Sequence, residues 1–166
     1  MFTEVIEESR DRAEEELEQV ASFLHGVLGA RMMKLLSIYV EERNLGWVLN
    51  SSTTFDLKDG LPRREPDLSF VSREKMPLPL DEEVSFAPDL AVEVISKTDD
   101  WSAIVAKANQ YLKAGTALVW VIDPYLKGIF VFHQNDPFPQ ILKPEEELEG
   151  EKVLPGFKLK VSALFV

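Results

Sequence analysis

Two acidic side chains stand where chemistry could be done: Asp67 in "PDLSFVS" and Glu93 in "DLAVEVIS". Glu93 has aliphatic residues on each side, and strand alternation sends Leu90, Val92 and Val94 one way and Ala91, Glu93 and Ile95 the other. Neither face looks wet. An ionised carboxylate there is costly unless it is paired or bound to a metal. Glu93 therefore marks a candidate site; the plainer reading is a carboxylate at an exposed sheet end or one that bonds a helix terminus. Asp67 opens the preceding strand, and in an antiparallel pair the start of one strand lies beside the latter half of the other. Two acids from adjacent strands suit Mg²⁺ or Mn²⁺, which take oxygen ligands and keep several waters. Asp89 is a third acid, but four residues of strand span about 13 Å, too far to share one small ion with Glu93. Its expected place is the strand entry or a position behind the site.

The elements that must carry these acids follow from apolar periodicity. From about Glu8 to Arg43 the residues Val20, Phe23, Leu24, Val27, Leu28, Leu35, Ile38 and Tyr39 recur at helical spacing, which predicts two helices broken near Gly26 or Gly29 and stopped by Asn44 and Gly46. "GWVLNSSTTFDL" reads as a strand, "KDGLPRRE" as a turn, "PDLSFVS" as a second strand and "KMPLPLDEEVSFAP" as a Pro-rich loop. "DLAVEVIS" is a third strand, "DDWSAIVAKANQYLKAG" an amphipathic helix ending at Gly115, and "ALVWVIDP" a central strand. "GIFVFHQ" adds another strand, and the tail from Val153 a short strand with a closing helical turn. The result is an α/β fold with a mixed sheet flanked by helices, in which the crossover helix makes the third and fourth strands parallel. Residues 1–166 are expected to form one domain, with an acidic helical N-terminal segment over about 1–45.

Composition narrows the chemistry. The absence of cysteine excludes disulfides, thiolate metal sites and cysteine nucleophiles, and two isolated histidines leave little room for zinc. Any metal would be held through oxygen. Without a run of about eighteen apolar residues or a basic-then-apolar leader, the chain is expected to be cytoplasmic with no membrane contact. The net charge of −11 runs against an unaided grip on nucleic acid, although "EEELE" and "PEEELEGE" hold much of the acid in segments expected to be solvated.

The ordered set "PDLSFVS", "APDLAVEVIS", "KANQYLKAG" and "LVWVIDP" resembles the Uma-two family, which is assigned to the PD-(D/E)XK restriction-endonuclease-like superfamily. The resemblance runs from about His25 to the C-terminus. It implies a restriction-endonuclease-like fold with an α-β-β-β-α-β core and metal-dependent hydrolysis of nucleic acid. It also implies that Asp67, Glu93 and the backbone carbonyl of Val94 hold Mg²⁺ or Mn²⁺.

The family's lysine two positions after the glutamate falls on Ile95 here. Similar families recruit a lysine from the following helix, where this chain has Lys107, at the edge of the stripe of Ile104, Ala108, Tyr111 and Leu112. A lysine there serves the site or runs along the helix flank. Lys97 is the rival. Gln110 and Tyr111 could line the pocket, Tyr111 more simply as core, and Trp120 reads as packing. His25 matches a histidine common early in the family. A carboxylate from the N-terminal helices, Glu18, Glu41 or Glu42, could join the site. Two functions follow: a metal-dependent nuclease, or a catalytically degenerate nuclease fold that binds or assembles. A basic patch of Arg63, Arg64, Arg73 and Lys97 would favour the first. The apolar "SALFV" and the aromatics Phe130 and Phe132, expected at the surface, point to a two-fold homodimer.

Overall fold

In a computed structural model of the protein, residues 23–58, 60–76, 80–81 and 83–165 are described. The acidic opening segment, with Glu18, lies outside them. Helix α1 (Phe23–Glu42) is continuous, without the break near Gly26 or Gly29 that the sequence had predicted. A helical glycine costs about 1 kcal/mol against alanine. That cost is offset because Leu28, Met32, Leu36 and Val40, spaced four apart, are all fully buried, each contributing roughly 1.5–3 kcal/mol. By length and hydropathy α1 is the one described helix that could cross a membrane, yet this stripe is spent on the sheet. Asn44 in the left-handed conformation (φ 54°) ends it.

Six strands follow: β1 (Gly46–Asn50), β2 (Leu68–Ser72), β3 (Leu90–Val94), β4 (Leu118–Asp123), β5 (Gly128–His133) and β6 (Gln140–Leu142). They lie in one sheet in chain order. Helix α2 (Trp101–Lys113) links β3 to β4. That pair is parallel and every other pair in the sheet is antiparallel. β7 (Glu147–Glu149) and β8 (Lys158–Lys160) form a separate hairpin.

The sheet is covered on both faces. Leu68, Phe70, Leu90, Val92, Leu118 and Trp120 meet α1 and the C-terminal residues Leu148, Phe157 and Leu164. Val71, Ala91, Val119, Val121, Phe130 and Phe132 meet Ala108 and Tyr111 of α2. Phe130 and Phe132 are therefore core residues, 7% and 4% exposed, with their rings tilted against Trp101. Leu164 of the tail is buried as well. Phe130, Phe132 and Leu164 thus supply no exposed patch, and the grounds for a dimer that rested on them fall away. Trp120 is packing, as expected, with its Nε1 lacking a partner among the described residues.

Candidate active site

The site begins where the β2–β3 ladder stops. The strands pair Phe70 with Leu90, Ser69 with Ala91 and Leu68 with Val92, and Pro66, which has no N–H to give, ends the ladder. Extending this register by one residue sets Asp67 opposite Glu93 on the face toward α2. Directly opposed residues have Cβ atoms about 5 Å apart. The Asp67 carboxylate takes over from the missing ladder: its Oδ2 accepts the Val94 N–H at 2.8 Å and the Nε2–H of His25 at 3.1 Å.

Burial pushes the Asp67 carboxyl up, but the bonds from His25 and Val94, with the nearby charge of Lys107, outweigh it and hold Asp67 below its usual range. His25 is raised in return, chiefly by its bond to Asp67 and against the effect of its own burial.

Glu93 is served from α2. Lys107 Nζ donates to Oε2 at 2.7 Å and the Tyr111 hydroxyl to Oε1 at 2.8 Å. The i, i+4 spacing places both donors on one face of the helix. The Glu93 side chain is only 13% exposed. Burial pushes its carboxyl up, and the Lys107 ammonium pulls it only part of the way back. Burial and the Glu93 charge also raise the Tyr111 phenol, which stays protonated as a donor. Glu93, Asp99, Ile104 and Lys107 line a cleft of about 120 Å³. It has room for a few waters or a phosphate group, at roughly 30 Å³ per water.

The donor chemistry fits a hard divalent cation. Asp67 and Glu93 are paired oxygen donors, and Asp67 Oδ1 makes no hydrogen bond among the described residues. The N–H and C=O of a strand residue point to the same side, so the Val94 carbonyl faces the Asp67 side as its N–H does. Among the described residues no three His, Asp or Glu side chains converge as a ligand set. Mg²⁺ binds through one or two carboxylates and keeps its waters, so Asp67 and Glu93 are the number of acids such an ion would take.

The other candidates are sorted by position. Asp89 sits at the opposite end of β3, where Oδ2 accepts the Ser72 N–H at 2.8 Å and Oδ1 pairs with Lys75 at 2.8 Å. It orders the strand entry. Lys97 is exposed. Ile95 is buried among apolar side chains on the α2 face. Gln110 faces Arg64, accepting from its Nε at 2.9 Å. Glu41 and Glu42 lie at the far end of α1, about 25 Å along the helix from His25, so neither reaches the acids. The four basic residues form no single patch: Arg63 pairs with Glu83, and Arg73 lies over Trp47 beyond the far end of β2. Sequence reasoning missed the Tyr111 bond to Glu93 and the Val94 bond to Asp67. The spacing of Lys107 and Tyr111 was a usable signal for the first; nothing in the side chains announces a backbone donor.

The sequence profile of the Uma2 family, described as "Putative restriction endonuclease", matches residues 7–162. Among curated proteins none matches the chain. Of solved structures, a "putative nuclease belonging to DUF820" from Anabaena variabilis ATCC 29413 is similar in fold, with a TM-score of 0.73 over 85% of this chain and 79% of that one, at 20% identity.

Proposed function

The chain belongs to the Uma2 restriction-endonuclease family, and from that premise we propose that it is a divalent-metal-dependent nuclease hydrolysing phosphodiester bonds in nucleic acid. One observation carries the reading. The β2–β3 register, extended by one residue, brings the Asp67 carboxylate opposite that of Glu93, and a lysine ammonium lies 2.7 Å from the latter. A pure scaffold has no need to bury such a group beside a cleft.

Asp67, Glu93 and the Val94 carbonyl would hold Mg²⁺ or Mn²⁺. When bound, such an ion supplies polarisation of the scissile phosphate and a water of lowered pKa. The chain's own residues do the rest. Val94 N–H and His25 fix Asp67 Oδ2, and Tyr111 fixes Glu93 Oε1, so both carboxylates are oriented before substrate arrives. Lys107 takes the part of the cation missing at Ile95: it orients the attacking water and offsets the charge that develops on the phosphate.

A second reading, a degenerate nuclease fold that only binds, draws on the isoleucine at position 95 and the net charge of −11. Incubation of the protein with duplex, single-stranded and branched DNA and with RNA, in Mg²⁺, Mn²⁺ or EDTA, separates the two. Ion-dependent cleavage of any substrate that is lost in Glu93→Gln supports the nuclease; binding without cleavage in every ion supports the second reading.

A further inference from the structure

Arg64 stands three residues before Asp67, and Gln110 three residues after Lys107. The two meet: Nε and Nη2 of Arg64 both donate to Gln110 Oε1. The arginine is held from behind as well. Its backbone exchanges hydrogen bonds with Phe55 at 2.8 and 3.0 Å, and Phe55 is fully buried. Arg64 is half-buried, and its charge is felt by the Tyr111 phenol that bonds Glu93.

What sets Arg64 apart is that it is half-buried without a carboxylate. Lys75 and Lys107, half-buried as well, pair with Asp89 and Glu93, whereas Arg31 and Arg73, which bond only a backbone carbonyl and an amide, are exposed. Among the described residues Arg64 has only a neutral amide. A partly desolvated cation that meets no anion is incompletely compensated. Of its five N–H groups the amide takes two, so the outer edge of the fork keeps the geometry for bidentate contact with two oxygens of a phosphate. Gln110 is three residues from Lys107, about 5 Å along the axis of α2. That is the scale of one or two nucleotide steps, at roughly 3.4 Å of rise each.

We propose that Arg64, braced by Gln110, binds a backbone phosphate one or two nucleotides from the phosphodiester that is cleaved. This rests on the nuclease reading, but the anion site can be tested apart from it. A fluorescein-labelled oligonucleotide is titrated in EDTA and followed by anisotropy, with chloride varied. Arg64→Ala is expected to weaken binding about ten-fold or more, as loss of a charge-assisted contact does, and to reduce the salt slope by about one. Arg64→Lys, which keeps charge but not the fork, should fall between. Wild-type affinity and slope in Arg64→Ala, folded by circular dichroism, overturn the proposal and leave the nuclease reading standing.

A second arm uses inorganic phosphate at constant ionic strength. It should shift the Arg64 Nε–H resonance, which is identified by its absence in Arg64→Lys. If phosphate shifts that resonance but no oligonucleotide binds, the anion site holds and its nucleic-acid occupant, and with it the proposal, fails. If neither happens, the anion site fails as well; the nuclease reading is decided separately by the ion-dependent cleavage assay.

Discussion

The tripeptide Pro-Asp-Leu occurs twice, at 66–68 and 88–90, each time leading into a strand. Because β2 and β3 run antiparallel, the two aspartates stand at opposite ends of one strand pair. Each end also has a lysine–carboxylate pair, Lys107 with Glu93 at 2.7 Å and Lys75 with Asp89 at 2.8 Å, and the two lysines are similarly exposed at 33% and 35%. Their surroundings differ. Asp89 is one carboxylate that closes the local structure: its side chain takes the Ser72 N–H, its N–H bonds Phe70, and its carbonyl accepts from Ala117 and Leu118. At the other end the register, extended by one residue, sets Asp67 opposite Glu93, which lines a cleft. An ion pair by itself says little about function; a second acid opposite the first, together with a cleft lined by Glu93 and Lys107, is the informative feature.

The largest contrast should come from the two lysines. Lys107→Gln keeps a donor for Glu93 but removes the charge, and cleavage should fall on the order of 10²-fold to 10³-fold, as for loss of one transition-state stabiliser. Lys75→Gln should change the rate per folded molecule by no more than about two-fold, in the range of surface substitutions. Equal losses in initial-rate assays would erase the distinction between the ends.

Stability should divide the ends the other way. Asp89→Ala strands the Ser72 N–H and leaves Lys75 only the Ala87 carbonyl, and urea unfolding should report a loss of about 2 kcal/mol with the specific rate retained. At the site end, Tyr111→Phe removes only the hydroxyl on Glu93 Oε1. A loss nearer 1 kcal/mol is expected there, together with a drop in kcat that Asp89→Ala does not show.

The smallest effect is one of pH, measured on metal-free protein. His25 is raised above its ordinary 6.5 by Asp67, so its contribution to stability is complete below about pH 6.5 and is lost as pH rises through the folded value. Asp67 is lowered, so its contribution is present above its ordinary 3.8 and is lost as pH falls through its own folded value. The Tm difference between wild type and His25→Asn should therefore be greatest between about pH 4 and 6.5 and shrink above that window. A difference that stays flat from pH 5 to 9 would show that the imidazole packs without a charged partner.

Much of this was legible in the residues. The alternation around Glu93, the apolar run of β4 and the amphipathic period of α2 led to the right elements and to the parallel β3–β4 pair. β7 was not legible, because Leu148 sits alone in an acidic run that reads as solvated, yet it is fully buried while Glu147 and Glu149 face outward. Phe130 and Phe132 misled for a related reason: a strand covered on both faces has no wet side, so alternation cannot show which aromatics are exposed. At the site, the acids could be read from strand pattern, and Lys107 from its place at the edge of a helical stripe. The bonds from Val94 and to Gln110 depend on where the chain folds back on itself, and no local period encodes that.

The central claim is that the Asp67 end of the strand pair is catalytic and the Asp89 end is not. Its most direct test is one cleavage series on plasmid and oligonucleotide substrates with Mg²⁺, Mn²⁺ or EDTA, comparing wild type with Asp67→Asn, Glu93→Gln and Asp89→Asn. The account predicts cleavage by wild type only with a divalent ion, a loss of about 10²-fold or more in the first two variants, and a rate near wild type in the third. Wild-type protein that cleaves nothing in either ion, or Glu93→Gln that cleaves as well as wild type, would contradict it.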